Sequence, residues 1–342
     1  YIQMINYDAI NAKINGMFGR LLKSADYALL SRMPSVDEVG RALQSRPAYS
    51  RALDPGLTMR RGSIERRLML SLCADYDRLY SFAGDARLRK FLDGYFLRYE
   101  AHELKMLLCM AYDGRDLSEY FESDIYKRMG IDPGKLRAAR DVADLIERLN
   151  GSEFYPVLSR VYNENSSLFE LESQLDLYCH RRFSECIERY LDKSDSKQMR
   201  FIARAETDLR NIEWIYRLKT RYKVDGDLIY AHLMPSVSRL TKEHLKELIN
   251  AGTEQFFELL RGGPYSKELK DAADANLEAV CHREIRRVYA VTRRKHPHSP
   301  APVIAYIYFK DREIQNITSL LEGVRYKLAP EEIVKFAEVS YD

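Results

Sequence analysis

Three short stretches of this 342-residue chain share one pattern and stand at equal intervals. "HELKMLLCM" (His102 to Met110), "TDLRNIEWI" (Thr207 to Ile215) and "REIQNITSL" (Arg312 to Leu320) each set a carboxylate before Leu or Ile, then a long polar residue, with an apolar residue four places after the acid. The acids are Glu103, Asp208 and Glu313, so both intervals are 105 residues. A chain that repeats one part twice at a fixed distance is constrained to fold as three similar units. At about 105 residues each unit is longer than the 20–50 of a solenoid repeat and closer to a small domain.

A second marker travels with the first. "SVDEVGRALQSRPAY" (Ser35 to Tyr49) aligns with "DVADLIERLNGSEFY" (Asp141 to Tyr155), with Val36/Val142, Val39/Leu145, Leu43/Leu149 and Tyr49/Tyr155 in register. "LTKEHLKELINAGTEQFF" (Leu240 to Phe257) is a looser third copy, its closing aromatic read at Phe256. From closing aromatic to acid the distances are 54, 53 and 57 residues. A weaker third marker pairs "LDLYCHRRF" (Leu175 to Phe183) with "LEAVCHREI" (Leu277 to Ile285). The spacing predicts helical repeats over 1–118, 119–224 and 225–342.

Each unit reads as helical. Ser35 and Glu38 have capping-box spacing at the start of "VGRALQSR", where apolar residues fall at 39, 42 and 43. Asp208, Ile212 and Ile215 share a helical face, as do Glu103, Leu107, Met110 and Glu313, Ile317, Leu320. Alternation at period two is confined to "VIAYIYF" (Val303 to Phe309), which a helix accommodates equally well. With only 16 glycines and 11 prolines, the fold class is all-α. Joints are expected from Gly114 to Lys135, at "KVDGDL" (Lys223 to Leu228) and at "RGGPYS" (Arg261 to Ser266).

Composition excludes several function classes. The 54 basic and 51 acidic side chains leave a net charge of +3, too balanced for a nucleic-acid footprint. The basic cluster "VTRRKHPH" (Val291 to His298) is short and reads as a solvated loop. "LLCMAY" (Leu107 to Tyr112) and "APVIAYIYF" (Ala301 to Phe309) fall well short of the roughly 20 apolar residues that span a bilayer. Five cysteines without a CxxC pair fit reduced, mostly buried thiols of a cytoplasmic protein.

Chemistry-bearing motifs are absent from the sequence. There is no GxxxxGK[ST], GxSxG, HExxH or GxGxxG, and "LRGGPYS" lacks the lysine of a phosphate cradle. Cys179-His180 and Cys281-His282 repeat, but neighbours on a helix point about 100° apart and cannot share one metal ion. Cys179 and Cys186 share a face but stand about 10 Å apart along the helix. No metal, cofactor or catalytic residue is therefore expected. The three acids either line a shared cavity or serve as ion-paired helix residues, and the second is the commoner use of such groups. Trp214 reads as a packing anchor.

"YIYFKDREIQNITSLLEGVRYKLAPEEI" (Tyr306 to Ile333) and "DLRNIEWIYRLKTRY" (Asp208 to Tyr222) resemble the C subunit of bacterial and archaeal A/V-type rotary ATPases. The same family includes the d subunit of the eukaryotic vacuolar proton pump. "YDAINAKINGMFGRLL" (Tyr7 to Leu22) followed by "LLSRMPSVDEVGRAL" resembles the family's start, and the likeness spans essentially the whole chain. Asn211 and Asn316 match the family core, whereas the first repeat has Met106 at that position. The resemblance implies a funnel of three helical domains about a pseudo-three-fold axis. It further implies a non-catalytic socket on the cytoplasmic face of the membrane rotor ring, peripheral to the membrane, that receives the central stalk and couples ATP turnover to proton or sodium transport.

On that reading Arg210, Lys219, Arg221 and Arg325, the cations following the marker, are candidate contacts to partner subunits. Two rival classes remain open to the sequence. One is a free-standing helical scaffold or nucleic-acid adaptor, which needs a concentrated basic stripe. The other is a helical enzyme with acids in its cavity, which needs raised carboxylate pKa values.

Overall fold

The computed structural model describes residues 5–53, 60–119, 129–235 and 238–336, and in these residues every regular element is a helix. Residues 120–128, inside the expected joint from Gly114 to Lys135, lie outside the described residues. Short helices followed by two long ones occur three times. The first set is α1 (Asp8–Phe18), α2 (Ser24–Leu30), α3 (Val36–Gln44), α4 (Arg61–Phe82) and α5 (Ala86–Tyr112). The second is α6 (Pro133–Arg137), α7 (Val142–Arg148), α8 (Tyr155–Val161), α9 (Leu168–Tyr190) and α10 (Lys193–Thr220). The third is α11 (Gly226–His232), α12 (Lys242–Asn250), α13 (Thr253–Gly262), α14 (Leu277–Lys295), α15 (Ala301–Arg325) and a closing α16 (Pro330–Phe336).

The marker stretches fall on α5, α10 and α15, the second long helix of each set. Each of these packs against the set that follows it. Helix α5 lies on α7 and α9, and α10 lies on α12 and α14. Helix α15 has no following set and turns back to α3 and α4 at the start of the chain. The two sequence markers are therefore partners in space: each marker helix meets the small leading helix (α3, α7 or α12) of the next set.

Local chemistry sets the helix ends. Ser35 Oγ accepts the Glu38 N–H at 3.2 Å, so the expected cap is present, but Glu38 does not return a bond and the box is half made. A full capping box is at α9, where Ser167 Oγ accepts the Glu170 N–H and the Glu170 carboxylate accepts the Ser167 N–H at 2.8 Å. Asp85 and Asp192 cap α5 and α10, accepting backbone N–H groups at 2.7 and 2.9 Å. Residues 291–295 of the expected loop "VTRRKHPH" instead form the last turn of α14. Three cations at a helix C-terminus are favoured by its dipole, so they do not mark a loop. "VIAYIYF" belongs to α15, and Ala301 through Lys310 are buried on every side. With α1, α3, α4, α14 and α16 all packed around this helix, no polar face remains to reveal its period.

The seam between α5 and α9 closes on Gly94. A Cβ there would stand 2.4 Å from Cys186 Sγ, so alanine, though the better helix former, cannot enter without moving α9. Gly94→Ala is expected to destabilise the chain by about 1–3 kcal/mol through overpacking, read as a lower urea midpoint. The double variant with Cys186→Gly should recover most of the loss, whereas a loss that persists would place its cause elsewhere.

Candidate functional site

Two marker acids are held by the same construction. Glu313 on α15 accepts hydrogen bonds from the Leu22 backbone N–H and the Tyr49 hydroxyl, both from the first set of helices. Asp208 on α10 accepts from the Leu240 N–H at 3.3 Å and the Tyr265 hydroxyl at 2.9 Å, both from the third set. Ser238 adds a third donor to Asp208 at 2.6 Å. Each buried carboxylate thus ties its helix to a loop N–H and a tyrosine of another set, Glu313 through one donor to each oxygen and Asp208 through three donors to Oδ2. Burial together with the neighbouring carboxylate pushes the hydroxyls of Tyr49 and Tyr265 well above the usual tyrosine range, so both remain protonated donors. Glu103, the third marker acid, is buried on α5.

The equivalence identifies Tyr265 as the counterpart of Tyr49. The sequence placed that aromatic at Phe256, which instead packs on Tyr216 with ring centroids 5.1 Å apart. The available signal was the tyrosine of "RGGPYS", at the break that brings it over Asp208.

Lys310 sits one turn before Glu313. Its ammonium is 3.1 Å from the Glu313 carboxylate and 3.7 Å from the centre of the Tyr49 ring, and neither side chain of the ion pair is exposed. Asn211 is buried and clamps the Met234 backbone, donating to its carbonyl at 2.9 Å and accepting its N–H at 3.0 Å. Asn316 is half-buried, and Met106 at the corresponding place is exposed.

A second charged centre was not foreseen. Arg98 of α5 reaches Glu206 of α10 at 2.9 Å, Arg210 pairs with the same carboxylate at 2.7 Å, and Tyr289 of α14 donates to it at 2.8 Å. Burial alone would raise Glu206, but Arg98 and Arg210, with the Tyr289 hydroxyl, outweigh it and hold the carboxyl at about 2. The Arg98 guanidinium also lies 4.3 Å from the Tyr95 ring centre. Glu206 precedes the marker acid by two residues, as Asp311 does in α15, and that shared acid is the signal a closer alignment would have used.

The candidate contact cations divide into two groups. Arg210 is committed to Glu206, and Lys219 donates to the carbonyls of Leu248 and Ala251, capping the C-terminal end of α12. Arg221 is exposed, and Arg325 lies 4.0 Å from Glu322 with more than half its surface open. Reversing Arg210 or Lys219 would disturb the fold, so only Arg221 and Arg325 test contact cleanly.

The two Cys-His pairs serve packing. Cys179 and Cys281 are buried, while His180 reaches Thr207 at 3.3 Å and His282 reaches Glu213 at 3.4 Å, approaching α10 from α9 and α14. Glu213, Glu278 and His282 bring ligand-type atoms within 4.8 Å of one another. The Arg217 guanidinium already stands 2.8 and 3.1 Å from the two carboxylates, so the cluster has a cation of its own. Trp214 is half-buried, in a small cleft it shares with Arg98 and Met234. No helix of the described residues is long and apolar enough to cross a membrane.

Comparison with known proteins finds sequence likeness over nearly the whole chain. The family described as "ATP synthase (C/AC39) subunit" matches residues 10–336. The C subunit of the A-type ATP synthase of Methanococcoides burtonii is 22% identical over 340 residues, covering 96% of this chain and 93% of the relative. That of Methanosphaera stadtmanae is 24% identical, with 96% and 86% covered, and that of Halorubrum lacusprofundi is 25% identical, with 96% of each covered. With a match over all but the ends, the chain belongs to the ATP synthase (C/AC39) subunit family.

Proposed function

We propose that this chain is the coupling socket of a rotary A/V-type ATPase. It is a non-catalytic subunit that joins the central stalk to the membrane rotor ring and carries torque between ATP turnover and proton or sodium movement. The observation that carries the reading is the closure of the helix order: α15 returns to α3 and α4, with Glu313 bonding Leu22 and Tyr49, as α10 meets α12 and α14, with Asp208 bonding Leu240 and Tyr265. Three sets of helices, each gripping the next and the last gripping the first, make a closed collar with pseudo-three-fold symmetry. A collar stapled by buried carboxylates resists twisting, which is what a torque-bearing socket requires. In this arrangement the chain is peripheral, held on the cytoplasmic face through its protein partners.

The test is co-purification from solubilised membranes of the source organism, with the tagged chain as bait and native mass spectrometry as readout. Recovery of a small, very apolar ring protein together with coiled-coil stalk subunits is the expected result. A folded bait that recovers neither would overturn the socket and leave a helical scaffold. Within a recovered complex, Arg221→Glu/Arg325→Glu is expected to lower the yield of assembled complex without moving the melting temperature; a lowered melting temperature with assembly intact would make the pair structural.

A further inference from the structure

Two grooves open at corresponding places beside α15 and α10. The first, of about 650 Å3, is walled by Tyr306 and Lys310, and the second, of about 600 Å3, by Phe201 and Ala205. These positions differ by 105 residues, the interval of the marker acids. The first groove runs past Arg20 and Leu21, the second past Ser238 and Arg239. Those are the loops that supply the Leu22 and Leu240 N–H groups to Glu313 and Asp208, so the grooves are two copies of one construction.

Both are cationic. Six cations against two carboxylates, Asp75 and Asp77, line the first; five against Glu268 and Glu284 line the second. Lys310 and Arg200 are matched from outside the linings by Glu313 and Glu188. That leaves three positive charges in one groove and two in the other. Together they exceed the +3 of the entire chain, so the remainder of the molecule is net negative. Arg20 and Arg51 in the first groove, and Lys197 and Arg204 in the second, are exposed and make no ion pair among the described residues. Phe201, 55% exposed, adds an apolar surface beside the cations of the second groove.

We propose that the two grooves are matched docking sites for acidic segments of another protein subunit, an inference that rests on the coupling role proposed above. Charge complementarity selects an acidic occupant, because exposed, unpaired arginines offer forked donors to carboxylates. The chemistry of the walls selects protein over a polyphosphate backbone or a lipid surface. Asp75, Asp77, Glu268 and Glu284 interrupt the positive field and would repel an unbroken row of phosphates. A protein segment carrying interspersed carboxylates, apolar groups and an occasional cation matches such a mixed lining.

The test uses the whole complex isolated from membranes. A carbodiimide joins a lysine amine to a carboxylate only where the two touch, and each groove holds one suitable lysine, Lys13 and Lys197. The expected result is amide cross-links from both to Asp or Glu of another subunit. The reversals Arg20→Glu/Arg51→Glu and Lys197→Glu/Arg204→Glu are each expected to weaken incorporation by about tenfold at low salt, with unchanged melting temperature. Lys90→Glu/Arg160→Glu, outside both grooves, should leave incorporation unaltered. Groove reversals no worse than this control, or cross-links from Lys13 and Lys197 confined to the chain itself while other lysines reach partners, would overturn the proposal. Binding of the unaltered chain to anionic phospholipid vesicles or to RNA that the groove reversals abolish would also overturn it, by making phosphate the occupant. If the unaltered chain recovers no ATPase subunit, the coupling role falls and the docking sites with it; if it does and the reversals change nothing, only the docking sites fall.

Discussion

Glu313→Gln is expected to cost about 3–5 kcal/mol of stability, because it strands a buried ammonium. The Lys310 side chain has no exposed surface and its Nζ has Glu313 at 3.1 Å. The Tyr49 ring beneath it, 3.7 Å away, contributes a cation–π attraction of about 2 kcal/mol when desolvated, too little to replace a counter-ion. A glutamine oxygen still accepts one hydrogen bond, so the loss is chiefly one of charge. The pair Lys310→Met/Glu313→Leu, which removes both charges, should be less harmful than Glu313→Gln alone. Equal damage from the two variants would show that hydrogen bonds to Leu22 and Tyr49, rather than the ion pair, dominate. Asp208→Asn provides a comparison at the other staple: Ala205 occupies the place of Lys310, so no lysine is stranded at that place, and the expected cost is only about 1–3 kcal/mol. Because Glu313 joins the last helices to the first, its loss should also open residues 20–53 to hydrogen exchange before global unfolding. Protection of that segment unchanged from wild type would mean that the closure does not depend on this carboxylate.

The staple explains which parts of the molecule were legible in the sequence. The marker acids were visible because each is buried on its helix and all three stand at a constant interval; at Asp208 and Glu313 a fixed loop N–H favours an acceptor there. The companion helices α3, α7 and α12 were visible because each buries the same apolar face. Their spatial pairing was not, since nothing in a linear pattern says that a helix packs on the following unit rather than its own. Tyr265 escaped for a related reason: its register follows Asp208, whereas Phe256 fits the aromatic spacing without touching the acid. Periodicity failed in α15 between Ala301 and Lys310, where burial on all sides leaves no polar face. Net charge concealed the grooves, since +3 is a sum and their cations are offset by acids elsewhere. Arg98 stayed hidden because its partner Glu206 lies 108 positions away, and Tyr289, which donates to the same carboxylate, lies a further 83, and no short motif spans such distances.

That hidden centre carries the second large effect, and it is dependent on pH. Glu206 has only 6% of its side chain exposed and bonds Arg98, Arg210 and Tyr289 at once. Its carboxyl is lowered from 4.5 to about 2 in the folded chain, which corresponds to about 3 kcal/mol of stability linked to ionisation. A folded-state value below the unfolded one means that the unfolded chain binds the proton more tightly. The stabilisation is therefore complete above pH 4.5 and is lost as pH falls toward 2. Glu206→Gln should lower the urea midpoint at pH 7 by an amount equivalent to about 3 kcal/mol. It should also flatten the decline of stability between pH 4.5 and the acid limit by close to one proton, a signature that loss of packing alone would not produce. A variant that is destabilised at pH 7 but keeps the wild-type acid slope would show that another carboxyl controls it. Since α5 and α14 both meet α10 at this carboxylate, the same variant should loosen all three helices together. An exchange increase confined to α10 would reduce Glu206 to a local ion pair and leave the junction of the three helices to apolar packing.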